Sequence, residues 1–464
     1  MNFLNIFVFF CLLCTALQLY IYKKNSATKK NGSNTNNDIE DSPSNPSTSF
    51  LSNEEKKKFS KFQIEYLTVY LLAMAADWLQ GPYVYALYES YGFSKPDIAI
   101  LFIIGFVSSL LFGMIVGPIT DKYGRKLMTI VFCLLYSISC ITKLLNNFSV
   151  LLFGRLLGGI ATSLLFSVFE SWMVYEHNFR GYDPELLSST FYKSTLLNGV
   201  VAIVSGLWAS DSANRWGFVS PFLWAILLLI ICGLIVLSQW SENYGDNSNS
   251  SRSNNSSHSN NSLNNDDSLS SKFFNALQFV KEDQSVLKLG ATQSLFESSM
   301  YTFVFMWTPT LSETGELGAL PFGLIFATFM VCVMIGSSLF NLIPLKPESL
   351  IQVILLVSSL ALLIPAFFND SFIVYGSFLI FEVCCGLYFP CVGTLRSAYI
   401  PESMRATIMN LFRVPLNLLV VLILVNVSSL SNDTVFLVCS IWLLIAYVLQ
   451  KYILKDSKQP ISLK

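Results

Sequence analysis

Apolar runs of about 18 or more residues recur along this chain, each long enough to cross a hydrocarbon layer as a helix. They fall near 63–84, 97–117, 127–145, 149–170, 190–208 and 219–239, and again near 286–308, 320–343, 349–367, 371–393, 408–428 and 433–453. A further apolar run, Phe3 to Tyr22, precedes them. The first, fifth and seventh spans carry several polar residues, which blur their ends. The pattern predicts an all-α integral membrane protein: two six-helix bundles with an additional N-terminal transmembrane helix.

The polar stretches set the divisions. Residues 1–22 read as a membrane anchor, 23–61 as a polar cytoplasmic linker and 62–240 as the first bundle. Residues 241–284 read as a disordered cytoplasmic loop, because SRSNNSSHSNNSLNNDDS offers almost nothing to bury. The second bundle follows over 285–455, then a short cytoplasmic tail, 456–464.

Composition agrees with the bilayer as solvent. Hydrophobic residues make up 53% of the chain and charged residues 13%, against about 25% charged in soluble domains. A net charge of −1 gives no purchase to nucleic acid. Nearly all of the ten cysteines lie inside apolar runs and lack metal-ligand or disulfide-framework spacing. With only two histidines, His177 and His258, and no Gly-rich phosphate loop, the expectation is no enzyme, no metal and no cofactor. The partner expected is the lipid bilayer; the oligomeric state is left open, with a monomer expected.

Lysine and arginine set the orientation. Most of the 29 cluster on one side, including Lys23, Lys24, Lys29, Lys30, Lys56, Lys57, Lys58 and Lys451, while the opposite loops hold little beyond Lys95, Lys143 and Arg215. The richer side is assigned to the cytoplasm. Because its basic cluster follows the apolar run, the leader reads as an uncleaved anchor with its N-terminus outside.

Charges at hydrocarbon depth cost ~2.5–3.5 kcal/mol each on insertion scales, so they persist where they pair or line a wet cavity. Asp77, Arg155, Glu297 and Glu382 are the leading candidates for a cavity; Glu170, Lys193 and Arg396 lie close to span ends, and Arg413 falls within the eleventh span. Gln80, Asn198, Gln293 and Asn417 stand nearby as neutral donors. The substrate set is therefore Asp77, Gln80, Arg155, Lys193, Asn198, Gln293, Glu297, Glu382, Arg413 and Asn417. Weak ordered matches between the blocks (Asp77 with Glu297, Arg155 with Glu382, Lys193 with Arg413) suggest duplicated halves, whose junction is where a carrier binds its solute. Arg and Lys with neutral donors suit a tetrahedral oxyanion, and acids in the same cavity suggest proton coupling.

Between the second and third spans runs GPITDKYGRK, Gly117 to Lys126. Gly113 and Gly117 are expected to permit a close helix crossing, Asp121 to cap or pair with a neighbouring helix end, and Arg125 to meet an acid or helix end. A gate is assigned to Gly117, Asp121, Lys122, Gly124, Arg125, Lys126, Glu170 and Arg396. The loop resembles that between the second and third helices of major facilitator superfamily transporters. AADWLQGPYVYALY (Ala75–Tyr88), GRLLGGIATSLLFSVFESW (Gly154–Trp172), SLFESS (Ser294–Ser299), FVFMWTPTL (Phe303–Leu311), CGLYFPCVGTLR (Cys385–Arg396), NLFRVPLN (Asn410–Asn417) and WSENYG (Trp240–Gly245) further resemble the molybdate-anion transporter branch. That resemblance implies molybdate uptake across the cell membrane by alternating access. Two other readings stay open from the residues: a proton-coupled exporter of organic cations, suggested by the acids and aromatics, and a non-transporting membrane receptor.

Overall fold

The computed structural model describes residues 3–33, 53–244, 269–313, 320–340, 342–401 and 405–456. Helix α1 (Phe3–Ser33) is the leader. The first bundle contains α2 (Asn53–Gln80), the short α3 (Val84–Ser90), α4 (Lys95–Tyr123), α5 (Arg125–Thr142), α6 (Phe148–Leu165) with its continuation α7 (Val168–Phe179), α8 (Pro184–Trp216) and α9 (Ser220–Gln239). After α10 (Leu269–Glu282) come α11 (Gln284–Glu313), α12 (Phe322–Phe340), α13 (Pro347–Leu363), α14 (Ser371–Tyr399), α15 (Arg405–Val425) and α16 (Asn432–Asp456). Ten stretches among the described residues are long and apolar enough to span a bilayer, the leader Phe3–Ile21 and nine in the two bundles. The polar α2 and α11 and the shorter apolar part of α15 complete two sets of six.

Two boundaries differ from the sequence expectation. The leader helix runs on through Lys23 and Lys24 to Ser33, and α2 already begins at Asn53, so much of the expected 23–61 linker is helical. Lys and Ala favour helix, and water beyond the bilayer tolerates the charges. The second difference is α10, formed by LSSKFFNALQFVKE at the end of the expected disordered tract. Its Ala276 and Val280 are buried while Phe274 is exposed, an i, i+4 face hidden beside a low-complexity neighbour. Residues 245–268 lie outside the described residues.

Helix ends follow local chemistry. Ser94 and Asp97 form a reciprocal capping box at the start of α4. Asn147 caps α6 and Asp370 caps α14 through their side-chain oxygens. Small residues then allow close packing. A Cβ at Gly386 would strike the Val333 carbonyl, and one at Gly336 the Val383 carbonyl, so α12 and α14 touch backbone to backbone. Gly159 on α6 similarly abuts Gly105 on α4.

We call inner the face holding GPITDKYGRK, by the cation asymmetry. The two bundles meet along α8 with α12 and α4 with α15. Their named contacts run from the middle of the bilayer to the outer ends. Phe106 meets Tyr301, Phe102 and Tyr85 both meet Phe305, and Tyr83 and Phe218 both meet Phe322. At the outer rim Lys95 Nζ donates to Asn432, and Asn432 in turn donates to Glu313. This arrangement is closed on the outside. Helix α1 packs on α12, with Phe3 against Tyr375 near the outer end and Gln18 donating to Ser338 near the inner end.

Candidate substrate site between the two halves

In the first half, Asp77 of α2 accepts a hydrogen bond from the Tyr136 hydroxyl of α5. One turn further on, Gln80 is buried, with its amide nitrogen bound to the Ala76 carbonyl and its oxygen facing Lys143 Nζ at 3.1 Å. Arg155 of α6 donates to the Leu101 carbonyl at 3.1 Å and lies over the Phe102 ring, 4.6 Å from its centre. Room for that guanidinium exists because position 105 is glycine: a Cβ there would stand 2.9 Å from Arg155 Nη2. Asn198 of α8 accepts from the Trp78 indole at 2.8 Å.

Lys143 departs from the expected outer-loop position. It caps the C-terminal end of α5, yet its side chain turns into the bundle and is only 3% exposed. Asp77 and Arg155 both lie within its electrostatic reach. A lysine at a span end can snorkel either way, so the sequence carries no signal for the inward choice.

The second half supplies a more tightly bonded cluster. Arg396 of α14 pairs with Glu297 of α11 at 3.0 Å and donates through Nε to Gln293 at 3.0 Å. Tyr388 donates to the same Glu297 oxygen at 3.4 Å. Arg396, assigned to the gate from sequence, thus joins Glu297 and Gln293. Arg413 of α15 is exposed and within electrostatic reach of Glu297, while Asn417 donates back to the Arg413 carbonyl. Tyr301 lies within reach of Glu297, Arg413 and, across the junction, Asp77. It is the residue that ties the two clusters into one neighbourhood.

Two expected members lie elsewhere. Glu382 shares a face of α14 with Gly386, one turn on, and that face packs on α12. It sits within reach of Cys332 and Cys385, on the flank where Cys332 also meets Cys11 and Cys14 of α1. Depth in the bilayer marks Glu382 correctly as buried, but only the helix rotation shows that it faces a neighbouring helix. Lys193 donates to Gln63, fourteen residues before Asp77 on α2, which is ~21 Å toward the inner face at 1.5 Å per residue.

The inner loop is held by its own half. Arg125 pairs with Asp121 at 2.8 Å, i to i+4, and its backbone N–H donates to the Asn243 carbonyl at 2.9 Å. Glu242 accepts from the backbone nitrogens of Lys126 and Leu127 at 2.8 and 3.1 Å, which places a carboxylate on the N-terminus of α5. Lys126 Nζ reaches the Leu237 carbonyl, and Lys122 lies over the Tyr123 ring. The segment that receives these contacts is anchored by Trp240, stacked on Trp172 at 3.8 Å. Gly124 has φ of +100° and touches the Glu242 carboxylate where a Cβ would stand. Gly117, by contrast, has open space at that position, and Gly113 only an ordinary 3.7 Å contact with Ser163. The expected crossing at these two glycines is therefore absent, since α4 and α6 approach at Gly105 and Gly159. Glu170, with Arg125, Ser167 and Tyr175, lines a separate cavity of about 490 Å³.

Twin bundles closed on one side around a charged junction define a multi-pass membrane transporter of the major facilitator superfamily. Solved transporters share the fold: the peptide transporter PepTSo at TM-score 0.66 and 9% identity, covering 85% of this chain and 98% of that one, and the nucleoside transporter NupG at 0.62 and 12%, covering 86% and 99%. Residues 47–389 match the family described as sugar transporters with 12 TM, and the chain belongs to that family. Its similarity is much higher to proteins named molybdate-anion transporter. The Xenopus tropicalis protein is 37% identical over 405 residues, covering 84% of each chain, and the Danio rerio protein is 38% identical over 379 residues, covering 78% of each.

Proposed function

We propose that this protein carries molybdate, or a tetrahedral oxyanion of the same charge, into the cell across the plasma membrane by alternating access of the junction between its halves. One observation carries the reading: each of two carboxylates has a pair of cations near it, Lys143 and Arg155 beside Asp77 in the first half and Arg396 and Arg413 beside Glu297 in the second, with Tyr301 within reach of both acids. In their ordinary ionisation states these groups leave two positive charges for a dianion to neutralise. A neutral sugar needs hydrogen-bond partners but no such surplus, and an organic cation is repelled by it. The names of the relatives support the same substrate.

The charge balance also changes the expectation about protons. Glu297 already has Arg396 as its counter-ion and Asp77 has the Tyr136 hydroxyl, so neither carboxyl must be protonated for a dianion to enter. In the inner loop, Arg125, Asp121 and the 240–243 segment stiffen the first half so that it rocks as one body. Saturable uptake of labelled molybdate in cells expressing the protein, competed by sulfate and unaffected by organic cations, is the expected result. Absence of saturable molybdate uptake would remove this reading.

A further inference from the structure

We propose that Lys143 is a ligand of the carried oxyanion, gripping it together with Arg155 from the first half; this rests on the anion-carrier reading above. The residue stands where a lysine ordinarily extends outward to water at little cost, and it does the opposite. Its ammonium is buried among neutral acceptors: Gln80 Oε1 at 3.1 Å and the Ser139 carbonyl and hydroxyl oxygens, each at 3.4 Å. The Phe222 ring lies beneath it, 5.1 Å away at its centre. Among the described residues no carboxylate lies within ion-pair distance of it. Asp77, the acid within its electrostatic reach, is engaged by Tyr136.

A buried ammonium without a contacting counter-ion is expensive. As a strut between α5 and α2, a glutamine or methionine would serve at lower cost. Arg155, the neighbouring cation, is likewise satisfied among the described residues only by a carbonyl and an aromatic face. On adjacent helices of one half, Arg155 keeps guanidinium donors for a divalent oxyanion, and Lys143 can exchange its two long 3.4 Å contacts with Ser139 for one. The second half differs in that Arg396 is paired with Glu297, and Arg413 stands within reach of the same acid, so a bound dianion meets cations from each side of the junction and couples the motion of both.

The test is molybdate titration of the full-length purified protein, read as the shift of its melting temperature, with sulfate in a parallel arm. In Lys143→Gln, half-saturation by molybdate is expected to rise about ten-fold or more, as for loss of one charged hydrogen bond, with the ligand-free melting temperature kept. Lys143→Arg is expected to recover most of the affinity. Half-saturation unchanged in Lys143→Gln overturns the proposal. So does a ligand-free melting temperature that falls equally in both variants, since that marks a purely structural strut. A wild-type protein that responds to neither anion removes the anion-carrier reading itself, a failure visible before any variant is made.

Discussion

Individual charges inside apolar spans are the most legible feature of the sequence, because each is costly unless it meets a partner or a wet cavity. Asp77, Arg155, Glu297 and Glu382 stand out this way, and the first three lie near the junction, as does Arg413. What the sequence does not encode visibly is direction around and beyond the helix. Glu382 is as deep as Glu297 yet faces α12, and Lys143 sits at a span end yet points inward. The Arg396–Glu297 pair gives a sharp test at this scale. Its side chains are 23% and 13% exposed, so breaking it costs less than the ~3–5 kcal/mol of a fully buried pair. Arg396→Gln leaves a bare carboxylate facing the anion, and molybdate uptake is expected to fall about ten-fold or more. Glu297→Gln removes an acid instead, and half-saturation is expected to improve while maximal uptake drops, because a site with one more net positive charge holds its dianion longer. Equal loss of affinity in both variants would contradict this division of roles.

Among the elements, glycine positions separate packing from decoration. Gly117 and Gly124 stand seven residues apart in one loop motif, and composition gives them equal weight. Their surroundings do not. Gly117→Ala meets open space and is expected to leave expression, melting temperature and uptake unchanged. Gly124→Ala must adopt φ of +100° with its Cβ against the Glu242 carboxylate, and that carboxylate caps α5. Extended backbone at positive φ, a region kept almost entirely to glycine, costs another residue ~1–3 kcal/mol, and a displaced cap ~1 kcal/mol more. A clear fall in melting temperature is therefore expected for Gly124→Ala, and none for Gly117→Ala. The dependence of this loop on WSENYG is not legible from spacing, since the two segments are over a hundred residues apart and meet only in the folded chain, through Glu242 and Asn243, with Trp240 anchored on Trp172. Helix α10 is hidden for a different reason: its period-four apolar face is brief and follows a tract whose composition points to disorder.

For the whole molecule, the layout of two six-span blocks is readable from hydropathy because a bilayer permits few alternatives to helices. The state in which the blocks are caught is not, since it depends on contacts between distant side chains at the outer rim. There, Lys95 of the first half bonds Asn432 of the second, and Asn432 bonds Glu313. Glu89, in the short helix α3 at the outer end of the first half, faces the Glu313 charge across the junction. Partial burial raises its carboxyl above the ordinary glutamate value, and Glu313 adds to the rise. Closure thus binds a proton more readily than an open rim in which Glu89 is fully hydrated. The sign follows from linkage. Below the ordinary glutamate value both states hold the proton and closure carries no penalty. As pH rises through the window between the ordinary and the raised value, closure loses stability, and above it the penalty is complete. Acidic outer medium is therefore expected to favour the outside-closed state. With a single cysteine placed in the outer vestibule, labelling by an impermeant thiol reagent is expected to increase from acidic to neutral pH, after correction for thiolate reactivity. Glu89→Gln is expected to flatten that profile at the low, closed level, whereas Lys95→Ala, which removes the tie to Asn432, is expected to raise labelling at every pH. A Glu89→Gln profile that keeps the wild-type slope would place the titrating group elsewhere.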